Sequence, residues 1–166
     1  MADLVIHVLG VVGGSLAISQ MPGRGGDYAA DLDFIRDWKP SLVITATTRG
    51  ELADVGAESL GADILESGAR WLHLPITDYG VPDALFLQAW PAASEAALSA
   101  LRGRGRVLIH CKGGCGRSGM LALRLMVQSG EEAVQALLRL RKLRPCAVET
   151  DPQLRWAVTG ILPQGD

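Results

Sequence analysis

The chain has 166 residues, 48% of them hydrophobic and 20% charged, with a formal net charge of −2. That is enough for one globular domain, read as residues 1–166, with a substantial aliphatic core, and it excludes collagen-like, mucin-like and disordered chains. Sixteen basic residues against eighteen acidic ones give no bulk field for nonspecific nucleic-acid binding, so any anion site must be local.

The stretch from Leu4 to Ile18 is apolar but interrupted by His7, Gly10, Gly13, Gly14 and Ser15, with Asp3 in front and no Lys or Arg before Arg24. It lacks the positive start of a secretory leader and the length of a membrane span. It reads as two strands, LVIHVL and SLAIS, joined by a glycine turn. The expectation is a cytoplasmic protein that does not enter a membrane. GVVGGS at 10–15 has neither the lysine of a phosphate-binding nucleotide loop nor a full G-x-G-x-x-G pattern, so no cofactor is indicated.

Further buried strands are predicted at Leu42 to Thr45, Trp71 to Leu74 and Arg106 to His110. Helical spacing appears at Ala29 to Trp38, in a weaker pair around Glu51 to Ser67, and at Pro91 to Leu101, Ser118 to Gln128, Glu131 to Leu143 and Asp151 to Leu162. Pro91 belongs at a helix start or a kink, because inside a helix it removes a hydrogen bond. The fold class is α/β, a mainly parallel central sheet flanked by helices on both faces. Cys111, Cys115 and Cys146 cannot form a complete disulfide framework and suit a reducing compartment.

The chemistry is concentrated in RVLIHCKGGCGRSGMLALRLMV, residues 106–127. A buried strand ends at His110, a glycine-rich loop follows, and a helix begins near Arg117 or Ser118. A helix N-terminus offers unpaired N–H groups and a positive dipole end, and ligands of α/β sheets bind at the carboxyl ends of strands. Gly113, Gly114 and Gly116 let successive amides turn inward. The dipole and the guanidinium of Arg117 favour Cys111 as thiolate. A phosphate is the expected guest.

His110, Cys111, Gly114, Arg117 and Ser118 form H-C-x-x-G-x-x-R-S, which resembles the active-site loop of the cysteine-based protein tyrosine and dual-specificity phosphatases. HLPITDYGVPD at 73–83 is similar to the segment on which such enzymes carry a general acid, and Asp78 takes that position. Asp83 is the competing carboxylate and also suits a helix cap. With MPGR at 21–24, TTRGEL at 47–52 and AVETDPQ at 147–153, the chain looks most like the kinase-associated phosphatase (cyclin-dependent kinase inhibitor 3-like) branch, over roughly Met21 to Val158.

The resemblance implies metal-independent hydrolysis of phosphomonoesters, those of phosphorylated proteins above all, through a cysteinyl-phosphate. Cys111 would attack and Asp78 would donate and later accept the proton. Arg117 and the loop residues Lys112, Gly113, Gly114, Cys115 and Gly116 would hold the phosphoryl oxygens, and Ser118 would stabilise the leaving thiolate. His110 would orient the loop. Gln153 resembles a water-positioning glutamine, although Thr150-Asp151-Pro152-Gln153 also fits a capping box, the preferred reading. Lys112 adds charge at the mouth, as in phosphatases that accept lipid or polyanionic phosphates.

Arg49 and Glu51 are expected as an ion pair or helix-start residues, and Arg139, Arg141, Lys142 and Arg144 as a solvated helix face. Cys115 is read as a filler residue in preference to a partner for oxidised Cys111. The rival readings are a sulfurtransferase, a thiol-based arsenate reductase and a catalytically silent phospho-binding module. The substrate, the oligomeric state and the tyrosine, serine/threonine or lipid selectivity stay open at the level of sequence.

Overall fold

A computed structural model describes residues 4–162. Strands β1 (His7–Val11), β2 (Gly14–Ser19), β3 (Leu42–Thr45), β4 (Arg70–His73) and β5 (Arg106–His110) form one sheet in the order β1-β2-β5-β3-β4. Only β1 runs antiparallel to its neighbour; β2, β5, β3 and β4 pair in parallel. β1 and β2 are joined through Val12 and Gly13, both at positive φ, as a two-residue hairpin turn matched to strand twist requires.

Seven helices complete the described residues: α1 (Tyr28–Trp38), α2 (Arg49–Asp54), α3 (Leu60–Glu66), α4 (Ala84–Arg102), α5 (Gly116–Gln128), α6 (Ala133–Leu143) and α7 (Asp151–Thr159). The period-2 alternation of the central strands divides them between two cores. Leu16, Ile18, Leu42, Ile44, Val107 and Ile109 face the core shared with α4 to α7. Ala17, Val43 and Leu108 face the one under α1 to α3. The sheet is thus covered on both faces, and its parallel strands all end, at Ser19, Thr45, His73 and His110, on one edge. The aliphatic core has one aromatic patch, where Phe86 and Trp90 of α4 meet Trp156 of α7 with ring centroids 5.5–5.7 Å apart.

Two expectations need correction. α4 starts at Ala84, capped by the Asp83 carboxylate, which accepts from the Phe86 amide at 2.8 Å. Pro91 lies in its interior, neither starting nor ending it. The missing N–H is tolerated because Pro91 sits on the exposed face, where water can serve the freed carbonyl one turn earlier. Second, Cys115 and Cys146 are joined in a disulfide, leaving Cys111 as the free thiol. Thirty-one residues separate the pair in sequence, so their spacing gave no sign of it, and with a disulfide present cysteine usage no longer points to a reducing compartment. None of the helices in the described residues is long and apolar enough to cross a membrane.

Candidate active site

The loop between β5 and α5 starts at Cys111, on the carboxyl edge of the sheet. Adjacent strand residues point to opposite faces, so His110 and Cys111 part company. Cys111 packs into the α4–α7 core at 2% exposure. His110 is fully buried, its Nε2 2.7 Å from Thr45 Oγ1, an oxygen that accepts from the Trp71 indole N–H at 2.8 Å. Its Nδ1 lies 3.4 Å from the Cys111 carbonyl. A carbonyl only accepts, which assigns the proton to Nδ1 and makes Nε2 the acceptor of the threonine hydroxyl. Burial pushes His110 down to about 4, outweighing the carbonyl contact, so the ring is neutral. The imidazole ties the end of β5 to β3 and has no place in the cavity.

Past Cys111 the chain is held on several sides. The Lys112 carbonyl accepts from the Met21 amide at 3.1 Å and from Arg24 at 3.3 Å. Gly114 has φ +73°, and a Cβ there would strike the backbone of Ser19 and Gln20, so only glycine fits. At Gly116 a Cβ would run into the Glu149 carboxylate. α5 then begins, and its cap residue Cys115 makes no side-chain capping bond, leaving the first-turn amides to a guest. Ser118 Oγ lies 3.2 Å from Cys111 Sγ, both groups buried.

Arg117 projects from the first turn of α5 with 1% of its side chain exposed. Glu51 grips its two terminal nitrogens at 2.7 and 2.8 Å, and the Ile76 carbonyl accepts from it at 2.8 Å. Asp78 Oδ1 stands 3.3 Å from the same fork. Burial alone would raise Glu51, but Arg117, with the amide and hydroxyl of Thr48, holds it down to about 2. Burial likewise works against the charge on Arg117, and Glu51, Cys111 and Asp78 together raise it. Glu51 is also the third residue of a capping box with Thr48. The helix-start reading of Arg49 and Glu51 therefore holds, but the ion pair joins Glu51 to Arg117. The Thr48-x-x-Glu51 pattern disclosed the cap; nothing local disclosed a partner 66 residues away.

Asp78 lies on a tight turn closed by a Gly80 to Thr77 hydrogen bond of 2.8 Å, with Tyr79 at φ +60°. Gln153 reaches this turn, donating through Nε2 to the Gly80 carbonyl at 3.0 Å. Its Oε1 accepts from the amides of Glu149 and Thr150, completing a capping box on α7. The capping reading is thus observed, with a brace on the Asp78 turn added. Of the basic run expected to be a solvated face, Arg139 pairs with Glu131, and Arg141 donates to the carbonyls of Ala147 and Val148. Arg144 donates to those of Gly113 and Gly114. These guanidiniums answer carbonyls left open by irregular backbone, a need that sequence spacing does not display.

Cys111 and Arg117 line a cavity of about 310 Å³ together with Asp78, Tyr79, Arg24, Lys112, Arg144 and Glu149. A larger open depression of about 580 Å³, lined by Arg36, Lys39 and Glu66 at the opposite edge of the sheet, holds none of these groups. The site therefore brings together a buried thiol, a fixed guanidinium fork, a glycine-rich loop leading into a helix N-terminus and a carboxylate at the mouth.

The fold and this loop define the cysteine-based phosphatase class. Residues 41–156 match the model of the "Swiss Army Knife protein, DSP-PTPase phosphatase domain", and the chain belongs to that family. It is similar to cyclin-dependent kinase inhibitor 3 of Mus musculus, at 31% identity over 76% of this chain and 59% of the mouse protein. The match thus spans less than two thirds of that relative. Among solved structures it resembles kinase associated phosphatase with its catalytic-site cysteine replaced by serine, at TM-score 0.82 and 25% identity, covering 95% of this chain and 93% of that one. It also resembles Tk-PTP in its active form, at TM-score 0.72 and 29% identity, covering 93% and 98%.

Proposed function

We propose that this chain hydrolyses phosphomonoesters of phosphorylated proteins, phosphotyrosine included, through a cysteinyl-phosphate on Cys111. The observation that carries the reading is the convergence of Cys111, Arg117 and Asp78 on one cavity, with the thiol backed by the buried Ser118 hydroxyl at 3.2 Å and the carboxylate 3.3 Å from the guanidinium. A binding module needs neither the nucleophile nor the acid.

Glu51 holds Arg117 by the end of its fork, leaving the side edge, Nε and one terminal nitrogen, for two phosphoryl oxygens. The amides of Lys112 to Gly116 take the remaining charge. The Cys111 sulfur attacks phosphorus in line as the ester P–O bond breaks, and the Asp78 proton passes to the leaving oxygen. Water then attacks phosphorus, its proton goes to Asp78, and the P–S bond breaks as Ser118 donates to the released thiolate.

The test is hydrolysis of an aryl phosphate from about pH 4.5 to 8.5 with chelator present. We expect a bell-shaped profile, loss of turnover in Cys111→Ser, and a slowed Asp78→Asn variant without the alkaline limb. Undiminished turnover in Cys111→Ser would overturn the reading.

A further inference from the structure

The proposed reaction uses one cysteine of three. The other two tie the phosphate loop to a distant part of the chain: Cys115 lies within the loop, and Cys146 lies between α6 and α7, their Cα atoms 5.1 Å apart. Cys115 also caps α5, the helix that carries Arg117 and Ser118, and lines the cavity beside Cys111.

The same connection grips the loop at further points. Arg144 donates to the carbonyls of Gly113 and Gly114 at 3.0 and 3.2 Å, and the Val148 amide donates to the Cys115 carbonyl at 3.3 Å. In a trans peptide the carbonyl and the following N–H point opposite ways. Holding the Gly113 and Gly114 carbonyls on Arg144 therefore turns the amides of Gly114 and Cys115 to the other side of the loop. A segment with glycine at 113, 114 and 116 is otherwise free to sample many conformations, and ordering it on an oxyanion costs affinity. The covalent link removes that freedom at the junction of loop and helix.

We propose that the Cys115–Cys146 disulfide is a thiol-sensitive clamp on the phosphate-binding loop. Oxidised, it holds the amides and the start of α5 in their anion-binding arrangement; reduced, it loosens the loop and lowers both oxyanion affinity and turnover. This rests on the reading of the loop as a phosphate site. Both cysteines are only partly buried, so a small dithiol reaches them. Its thiolate attacks one sulfur and breaks the S–S bond, forming a mixed disulfide. Its second thiol then displaces the protein sulfur and closes the reductant's own disulfide. Two electrons and two protons pass from the dithiol to Cys115 and Cys146. Arg144 and Val148 still hold the reduced loop, so the loss is graded.

The experiment compares protein purified without reductant with the same protein reduced by excess dithiol and desalted under nitrogen. Alkylation in denaturant counts the thiols: one, Cys111, in the first form and three in the second. We expect reduction to weaken tungstate binding about fivefold or more and to lower kcat/KM in parallel. Cys146→Ser should match the reduced protein in both buffers. Equal tungstate affinity and turnover in the one-thiol and three-thiol forms would overturn the clamp, as would three thiols in folded protein never exposed to reductant. Turnover absent from both forms would overturn the proposed function, while tungstate affinity still decided the clamp. If neither form bound tungstate, amide exchange of the peptide spanning 111–119 would decide, faster after reduction supporting the clamp and unchanged exchange overturning it.

Discussion

At the floor of the cavity Arg117 has 1% of its side chain exposed, and Glu51 behind it 17%, whereas at the rim Asp78 has 45% exposed and Arg24, Lys112, Tyr79 and Glu149 are open to solvent. The floor and the layer directly beneath it are made of groups with every direction fixed: a fork held at its end, a thiol against a buried serine and, behind them, a neutral imidazole locked between β3 and β5. Such preorganised dipoles serve any tetrahedral oxyanion and need no rearrangement when one arrives. The rim is made of screened charges and a half-exposed carboxylate, which suit choice among substrates and the movement of a proton. On the proposed function, chemistry and selectivity would occupy separate layers, and substitutions in each should give different kinds of loss.

The largest effect belongs to the buried layer beneath the floor and appears in stability. The unfolded chain binds a proton at His110 near the ordinary histidine value, while the folded ring resists protonation down to about 4. Between about pH 6.5 and pH 4 the unfolded state therefore carries more protons, so stability is complete above that window and lost as pH falls through it. The full loss is on the order of 3 kcal/mol, at about 1.36 kcal/mol for each pH unit between the two titration points. His7, lowered by burial and by Arg144, adds to it with the same sign. Thermal melts of the wild type and His110→Asn at about pH 7.5 and about pH 4.5, on either side of most of that window, check this. The variant should melt lower at the higher pH but lose less on acidification, and equal pH slopes would separate His110 from the acid sensitivity.

How much of this was legible in sequence follows the same division. The strand ending at His110, the glycine loop and the helix after it were readable because the residues that carry the resemblance sit there at fixed offsets, and the carboxylate match at Asp78 lies within one continuous segment. The strands at 42–45 and 106–110 were marked by short apolar runs with β-branched residues, the mark of strands buried on both faces. What stayed hidden were partnerships across the fold. Glu51 showed its cap but not Arg117, and Arg144 showed a helix end but not the loop carbonyls it serves. Cys115 and Cys146 showed nothing, because a disulfide is a fact of tertiary proximity. Pro91 is not the helix start, because its penalty in an interior depends on which side of the helix meets water.

The next effect tests whether the floor works through position. Glu51 does not line the cavity, but it fixes the Arg117 fork. Glu51→Gln keeps the shape and at best one of the two hydrogen bonds, and removes the charge opposite a buried guanidinium. We expect kcat/KM for an aryl phosphate to fall about tenfold to a hundredfold, with the loss in kcat as well as KM and the alkaline limb set by Asp78 retained. A variant with unchanged kcat would show that Arg117 is held well enough by the Ile76 carbonyl and the helix alone.

The smallest effect should come from the rim. Lys112 lies within the loop, exposed at the cavity mouth, with its backbone carbonyl, not its ammonium, fastening the loop to Met21 and Arg24. Lys112→Ala therefore leaves the loop held and removes a screened positive charge worth up to about 1 kcal/mol in water at contact distance. For a small aryl phosphate KM should rise about threefold with kcat unchanged, and the difference from the wild type should shrink as salt is raised from about 50 to about 500 mM, because the Debye length shortens. For a phosphopeptide with acidic residues beside the phosphate the same change should cost more, since those carboxylates lie within reach of the mouth but not of the floor. Equal losses on both substrates, or a loss indifferent to salt, would place Lys112 with the floor and dissolve the separation between the two layers.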